Sequence, residues 1–440
     1  MLSVRGTVMQ TPTAADLEVL TDVVIDVGDD GTITSIEPST GQERVDVDLG
    51  DASVLLPGLI DAHAHAPQWP QIGTGLDLEP EDWLFERTFP LELRLCDPAF
   101  AERVWPDMVR TVLAHGTTTV AYHATVDVRT TTMLAESCAE IGQRALVGRV
   151  AMDHPIGTPE YLRDASASAG IEASLESIEQ IRALGTDRVR PIVSPRFAPS
   201  CTDDLLRGLG ELASSTGTTV QTHSAETDGE NEFVRSRFGV SDVVVLDRHG
   251  LIVENTILAN GQHLGPDDIA LIRDRGAGFV HCPRSNAYFG SAVFSSRRAL
   301  DGGVPMGLGT DIAGGGTASI FGQCVDAVTV SRVLDAGVDA QLPRYARGVR
   351  GTAITIVEAF HMATAGGAAL LGVPCGLIEV GRQFDAVAVD LETPRSPLRV
   401  WGPVDDHESV FEKVVRLTGL AEISDVWVAG RRVSGREPVS

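Results

Sequence analysis

From Ser53 onward, eight short apolar runs alternate with longer segments of helical period, and this alternation restricts the fold more than any other feature of the chain. The runs are Ser53 to Ile60 with an extension to His65, Thr117 to His123, Ala145 to Met152, Val189 to Val193, Thr218 to His223, Thr256 to Ala259, Ala277 to His281, and Val304 to Gly309. Between them lie stretches such as AFAERVWPDMVRTVLAHG, TDDLLRGLGELASSTG and PDDIALIRDRG, several opening at an Asp or Thr cap and ending at Gly. Strands joined by helices form a parallel sheet, and eight of them predict an α/β fold, a closed (β/α)8 barrel of the TIM type. In that architecture chemistry sits at the C-terminal ends of the strands, so the polar residues that close each run matter most.

The flanks read differently. Residues 1–57 and 376–440 alternate in strand fashion around Gly and Asp turns, which predicts one small β-sandwich built by both chain ends beside a barrel spanning 58–375. The Pro-rich stretch LETPRSPLRVWGPVDD reads as a surface loop.

Composition narrows the function classes. Thirty-five basic against sixty-one acidic residues give a formal charge of −26, which disfavours nucleic acid and anionic membranes as partners. The N-terminal MLSVRGTVMQ has no basic segment followed by an apolar core, and no run of eighteen apolar residues occurs, so a cytoplasmic location is expected. Six cysteines lie far apart without a C-x-x-C pair and read as buried thiols of a reducing compartment.

His63 and His65 end the first run in PGLIDAHAH, and side chains two apart on a strand share a face, so both imidazoles can reach one ion. His223 closes a later strand in TTVQTHSAE and Asp311 closes the last in VPMGLGTDIAGG. Three nitrogens and one carboxylate at strand ends suit one Zn²⁺ per chain, with a position left for water. Glu226, three residues past His223, is placed as the base that takes a proton from such a water and returns it to a leaving group.

The motifs PGLIDAHAH, QTHSAE, HCPRSN and GLGTDIAGG resemble those of the metal-dependent amidohydrolase superfamily. HAPQW, DWLFERTFPLE, HGTTTVAYHAT, IVSPRF and EVGRQFDAVAV extend the resemblance over nearly the whole chain, toward the guanine deaminases. The resemblance implies that His63, His65, His223 and Asp311 hold zinc, that Glu226 shuttles protons, and that Asp311 assists in activating the hydroxide. It further implies that Arg196, Phe197 and Gln68 receive a purine, and that the protein is a homodimer. A flat polar heterocycle needs an apolar face and a few directed hydrogen bonds, which these side chains offer.

One position departs from the pattern. Related deaminases carry a histidine at the end of the sixth strand, and the segment here, ILANGQHLG, holds Asn260. An amide can donate a hydrogen bond but exchanges no proton at neutral pH. Losing such a contact costs on the order of 3 kcal/mol, roughly a hundredfold in rate. Asn260 either replaces the histidine as a substrate-contacting donor or marks a changed ring; His263 is a loop histidine that would have to swing in to compensate. His281 supports the site from the seventh strand, and Arg284 serves the surface or faces a substrate carboxylate or sugar.

Other chemistries are excluded. The only lysine, Lys413, lies in the C-terminal flank, so no carboxylated lysine bridges two metals in the barrel. H-x-E with P-C-x-x-C does not occur. Gly314 to Gly316 lack the Lys-Ser/Thr of a phosphate-binding loop. The expected activity is zinc-dependent hydrolysis of an amino-substituted heterocycle, guanine to xanthine and ammonia first. A modified guanine, a pterin or a triazine, or a non-catalytic binding or scaffold role, are the alternatives.

Overall fold

The computed structural model describes residues 1–290 and 292–436. The chain opens with β1 (Leu2–Gln10), β2 (Glu18–Val27), β3 (Ile33–Pro38), the short β4 (Val47–Asp48) and β5 (Ser53–Pro57). The first long apolar run of the sequence then divides at Gly58. A Cβ there would lie 2.2 Å from Thr118 Oγ1, so only glycine lets the chain pass this close to the next strand. The half before Gly58 joins the flanking sheet; the half after it, β6 (Leu59–His65), begins the barrel.

The barrel continues with β7 (Thr117–His123), β8 (Arg144–Gly148) and β9 (Val150–Ala151), and β10 (Val189–Pro191) and β11 (Ser194–Pro195). It is completed by β12 (Gln221–Ser224), β13 (Ile257–Asn260), β14 (Gly278–His281) and β15 (Met306–Leu308). All barrel pairings are parallel: β6 to β7 to β8 to β10, β9 to β11, and β12 through β15. A Val193–Val220 bridge joins the two halves. On the other side, Asp311 N donates to His63 O at 3.0 Å and His65 N to Ile312 O at 2.9 Å, closing the barrel between its first and last strands. The third apolar run is two short strands, the fourth holds β10 with β11 lying just beyond its end at Val193, and the helices expected between strands are present.

Local rules explain these helices. Pro98–Ala114 starts on an Asp97 cap that accepts from Ala99 N, and buries Trp105, Met108, Val109 and Val112. Asp203–Thr216 starts on Thr202 and ends at Gly217 in the left-handed region, the conformation that frees glycine to stop a helix. Inside the barrel, Ile60, Ala121, Leu146, Ile257 and Val280 pack in one apolar cluster with Leu370 and Leu371 of the helix Ala365–Leu371.

Strands from both chain ends share one sheet. With β16 (Ala386–Asp390), β17 (Ile423–Val428) and β18 (Arg431–Gly435), the early strands form one hydrogen-bonded sheet in the order β18-β17-β16-β5-β1-β2-β3, with β4 on β1. Val4, Ile25, Phe384 and Trp427 form its core. A buried ion pair fastens it to the barrel: Arg144 Nε and Nη2, at the start of β8, each lie 3.0 Å from the Asp385 carboxylate. The C-terminal flank also holds the helix His407–Leu417, which strand alternation did not predict. Its Phe411 meets the edge of Phe360 at 5.3 Å. Among the described residues no helix is long and apolar enough to cross a membrane.

Candidate active site

Parallel strands deliver their terminal side chains to one rim, and four of the expected residues meet there. His63 Nε2 lies 3.1 Å from Asp311 Oδ1, His65 Nε2 lies 2.9 Å from His223 Nε2, and His65 Nε2 lies 3.5 Å from Asp311 Oδ1. The four donor atoms all fall within 4.8 Å of one another, and all four residues are buried. Burial and the neighbouring imidazoles hold His65 well below its ordinary pKa, and His223 is pushed down to about 3. Both rings are therefore neutral at pH 7 and offer lone pairs. Burial opposes ionisation of Asp311, but the hydrogen bond from His63 and the electrostatic pull of the neighbouring imidazoles outweigh it and lower its pKa. His223 Nδ1 donates to Arg196 O at 2.7 Å, which leaves Nε2 as the free acceptor.

The backbone is bent to aim these groups. Asp311, Ala225 and Asn260 have φ of 49°, 50° and 77°, in the left-handed region that side chains avoid. Each such residue costs on the order of 1 kcal/mol or more, and strain of this kind collects at functional sites.

Glu226 borders the same cavity as His65, His223 and Asp311. Its burial and the Asp311 charge push its pKa up to about 8, against the opposing pull of Arg196 and Asn260. Its backbone N–H donates to Glu230 Oε2 at 2.9 Å, so a second buried carboxyl holds the loop after β12.

Arg196 and Gln68 share a partner that sequence reading missed. Arg196 Nη1 and Nη2 lie 2.7 and 3.1 Å from the two carboxylate oxygens of Glu92, and Gln68 Nε2 donates to Glu92 Oε1 at 3.0 Å. Gln68 Oε1 accepts from Ala313 N at 2.9 Å. The guanidinium also lies 5.0 Å over the Phe89 ring. A buried arginine requires an anion, and the motif DWLFERTFPLE contains it, but 104 residues separate the pair. Phe197 lines the cavity with Trp83, Leu84 and Phe289, and the Trp83 and Phe289 rings sit 4.9 Å apart.

Asn260 Oδ1 accepts from Asn286 Nδ2 at 2.9 Å, while its own Nδ2 is buried with no hydrogen-bond partner. The flanking bond fixes which end of the amide is free. That free donor is close enough to Glu226 to favour its charged form. His263 does not join the cluster; its Nε2 lies 3.6 Å from the exposed Asp228 carboxylate because its backbone is tied to Ala225 O. Arg284 pairs with Asp326 at 2.6 Å, which answers its charge structurally rather than toward a substrate. His281 is buried against Phe294 at 5.4 Å, outside the four-residue set. His123, at the end of β7, was assigned no role in the sequence, yet its ring packs against His63, His65 and His223, at 5.0 Å from each.

Comparison with known proteins agrees with this geometry. Residues 54–433 match the model of the amidohydrolase family. The guanine deaminase of Rattus norvegicus is 34% identical over 446 residues, covering 98% of this chain and 96% of its own. A guanine deaminase from C. acetobutylicum, solved with guanine bound in its active site, superposes with a TM-score of 0.88 at 28% identity, over 98% of this chain and 99% of its own. A zinc-bound adenosine deaminase from Xanthomonas campestris gives 0.83 at 25% identity, over 98% and 92%. With its family motifs gathered at one barrel rim and matched across most of its length, the chain belongs to the amidohydrolase family and is an enzyme of hydrolytic deaminase type.

Proposed function

We propose that this protein deaminates guanine: water adds at ring carbon C2, the bond from C2 to the amino nitrogen breaks, and xanthine and ammonia leave. The observation that carries this reading is the Arg196–Glu92–Gln68 network standing beside Glu226 and the His₃Asp cluster, in a chain similar to guanine deaminases over 98% of its length.

His63, His65, His223 and Asp311 would hold one zinc ion, because neutral nitrogens and a single carboxylate match its preferred donors and the cavity borders three of the four. When bound, the ion acidifies a water toward neutrality. Glu226 then takes a proton at its carboxylate and delivers it to the amino nitrogen, so that nitrogen leaves as ammonia. Asp311 accepts hydrogen bonds beside it and keeps its negative charge.

Binding follows from the remaining hydrogen-bond capacity. Gln68 has spent one N–H on Glu92 and one lone pair on Ala313, which leaves one donor and one acceptor for a ring edge. Arg196 has spent two of its five N–H groups on the carboxylate. Phe197 supplies the apolar face, and Trp83 and Phe289 shield the cavity. Asn260 Nδ2 provides a fixed donor near Glu226.

That amide also favours a second reading, an aminoheterocycle other than guanine whose leaving group accepts a hydrogen bond. Ammonia release from guanine beside aminopurines, pterins and aminotriazines separates the two. We further propose a cytoplasmic homodimer; its motifs resemble those of relatives that pair, and a monomer in sedimentation would remove that claim.

A further inference from the structure

Four imidazoles stand together at the barrel rim, and only three have a part in the site described above. The six distances between the ring centroids of His63, His65, His123 and His223 all fall between 4.8 and 5.0 Å. His123 is fully buried, and neither of its nitrogens has a hydrogen-bond partner. His63, also fully buried, has the same deficiency on one side: Nε2 faces Asp311, and Nδ1 has no partner. An unpaired buried donor or acceptor is costly, so two adjacent rings that are each unsatisfied call for an explanation.

The chemistry of the cluster supplies one. A histidine that ligates a metal through Nε2 carries its proton on Nδ1, and that N–H almost always donates to a nearby acceptor which fixes the ring. His223 obeys the rule through Arg196 O, whereas His63 has no carbonyl or carboxylate in reach of Nδ1. The ring of His123 stands 5.0 Å away, at 73° to it. That separation leaves room for two imidazoles to meet nitrogen to nitrogen, as His65 and His223 do with a 2.9 Å contact and centroids at 4.9 Å. A half-turn of His123 about χ2 exchanges each ring nitrogen with a carbon inside the same envelope. An uncharged imidazole has one acceptor nitrogen beside its N–H, and neither nitrogen of His123 is otherwise engaged.

We propose that His123 is a positioning residue of the metal centre, accepting the Nδ1 proton of His63 and so fixing the tautomer and orientation in which His63 Nε2 meets the ion. The imidazole takes the place that a carbonyl or carboxylate fills behind other metal-bound histidines. His123 lies outside the four-donor set and does not line the cavity, so its part is exerted through His63. The inference rests on the reading that His63 holds zinc.

Zinc affinity, measured by competition with a chromophoric chelator, tests it without recourse to activity. Wild-type protein, His123→Phe and His123→Gln are compared, the Phe variant keeping ring volume and the Gln variant keeping an acceptor. Loss of an outer partner of this kind weakens metal binding about 10- to 100-fold, which is the result expected for His123→Phe, with His123→Gln recovering most of it. Unchanged affinity in His123→Phe overturns the proposal while leaving the zinc reading intact. Failure of the wild type to bind zinc overturns both. Should the variants not fold, ¹⁵N-histidine spectra of the zinc-loaded wild type decide: a coupling across an N–H···N bond between two imidazoles is expected, and a His63 Nδ1 proton with no such coupling refutes the assignment.

Discussion

A carboxyl group whose pKa lies near 8 can both accept and return a proton at neutral pH, and Glu226 acquires that property from burial and from the Asp311 charge beside it. Glu226→Gln should lower kcat for ammonia release by about 10²–10⁴ while zinc content stays unchanged, since the carboxylate is outside the donor set. In the proposed reaction Asn260 would act by donation alone. Removing its free Nδ2 in Asn260→Ala should cost about 10²–10³ in kcat, with KM for the ring little affected; equal kcat in the variant would show that the amide contacts nothing in the transition state. Much of this was legible from residue type. H-x-H on a strand, His223 and Asp311 stand out by their spacing, and the structure brings their donor atoms within 4.8 Å of one another, with Glu226 on the same cavity. His123 was not legible, because a histidine ending a strand reads the same whether it faces solvent, core or a metal cluster.

Between elements, the proposed substrate pocket depends on the helix Phe89–Arg94, which presents Glu92 to the residue that follows β11. Breaking a buried pair leaves an uncompensated charge, so Glu92→Ala should destabilise the protein by about 3–5 kcal/mol and raise KM as Arg196 loses its fixed position. Urea denaturation and steady-state kinetics on the same preparation check both halves; an unchanged KM would contradict the positioning role. The strands themselves were read well from apolar runs bounded by turns. What was missed has a common physical cause: the division at Gly58 depends on the approach of Thr118, and the Glu92–Arg196 pair on folding across 104 residues. The helix His407–Leu417 was hidden because its apolar face, Val410, Phe411, Val414 and Val415, follows a Pro-rich stretch that reads as loop.

For the molecule as a whole, the buried acids make stability depend on pH when no metal is bound. Glu226 is pushed up to about 8, Asp61 and Asp242 to about 6, and Glu230 is raised, in each case first by burial. A group whose folded pKa exceeds its unfolded one contributes stability that is complete below the unfolded value and is lost as pH rises through the folded value. The buried histidines His65, His123, His223 and His281 are shifted down and act in the opposite sense, but only below their unfolded pKa near 6.5. The melting temperature of metal-free protein should therefore fall between about pH 6.5 and 8, and Glu226→Gln should flatten that slope. A slope that rises with pH in calorimetry would show that the acids are not buried as described. Zinc-loaded protein given guanine decides whether the proposed reaction occurs: stoichiometric xanthine and ammonia are the expected products, and intact guanine beside a fully occupied metal site would refute it.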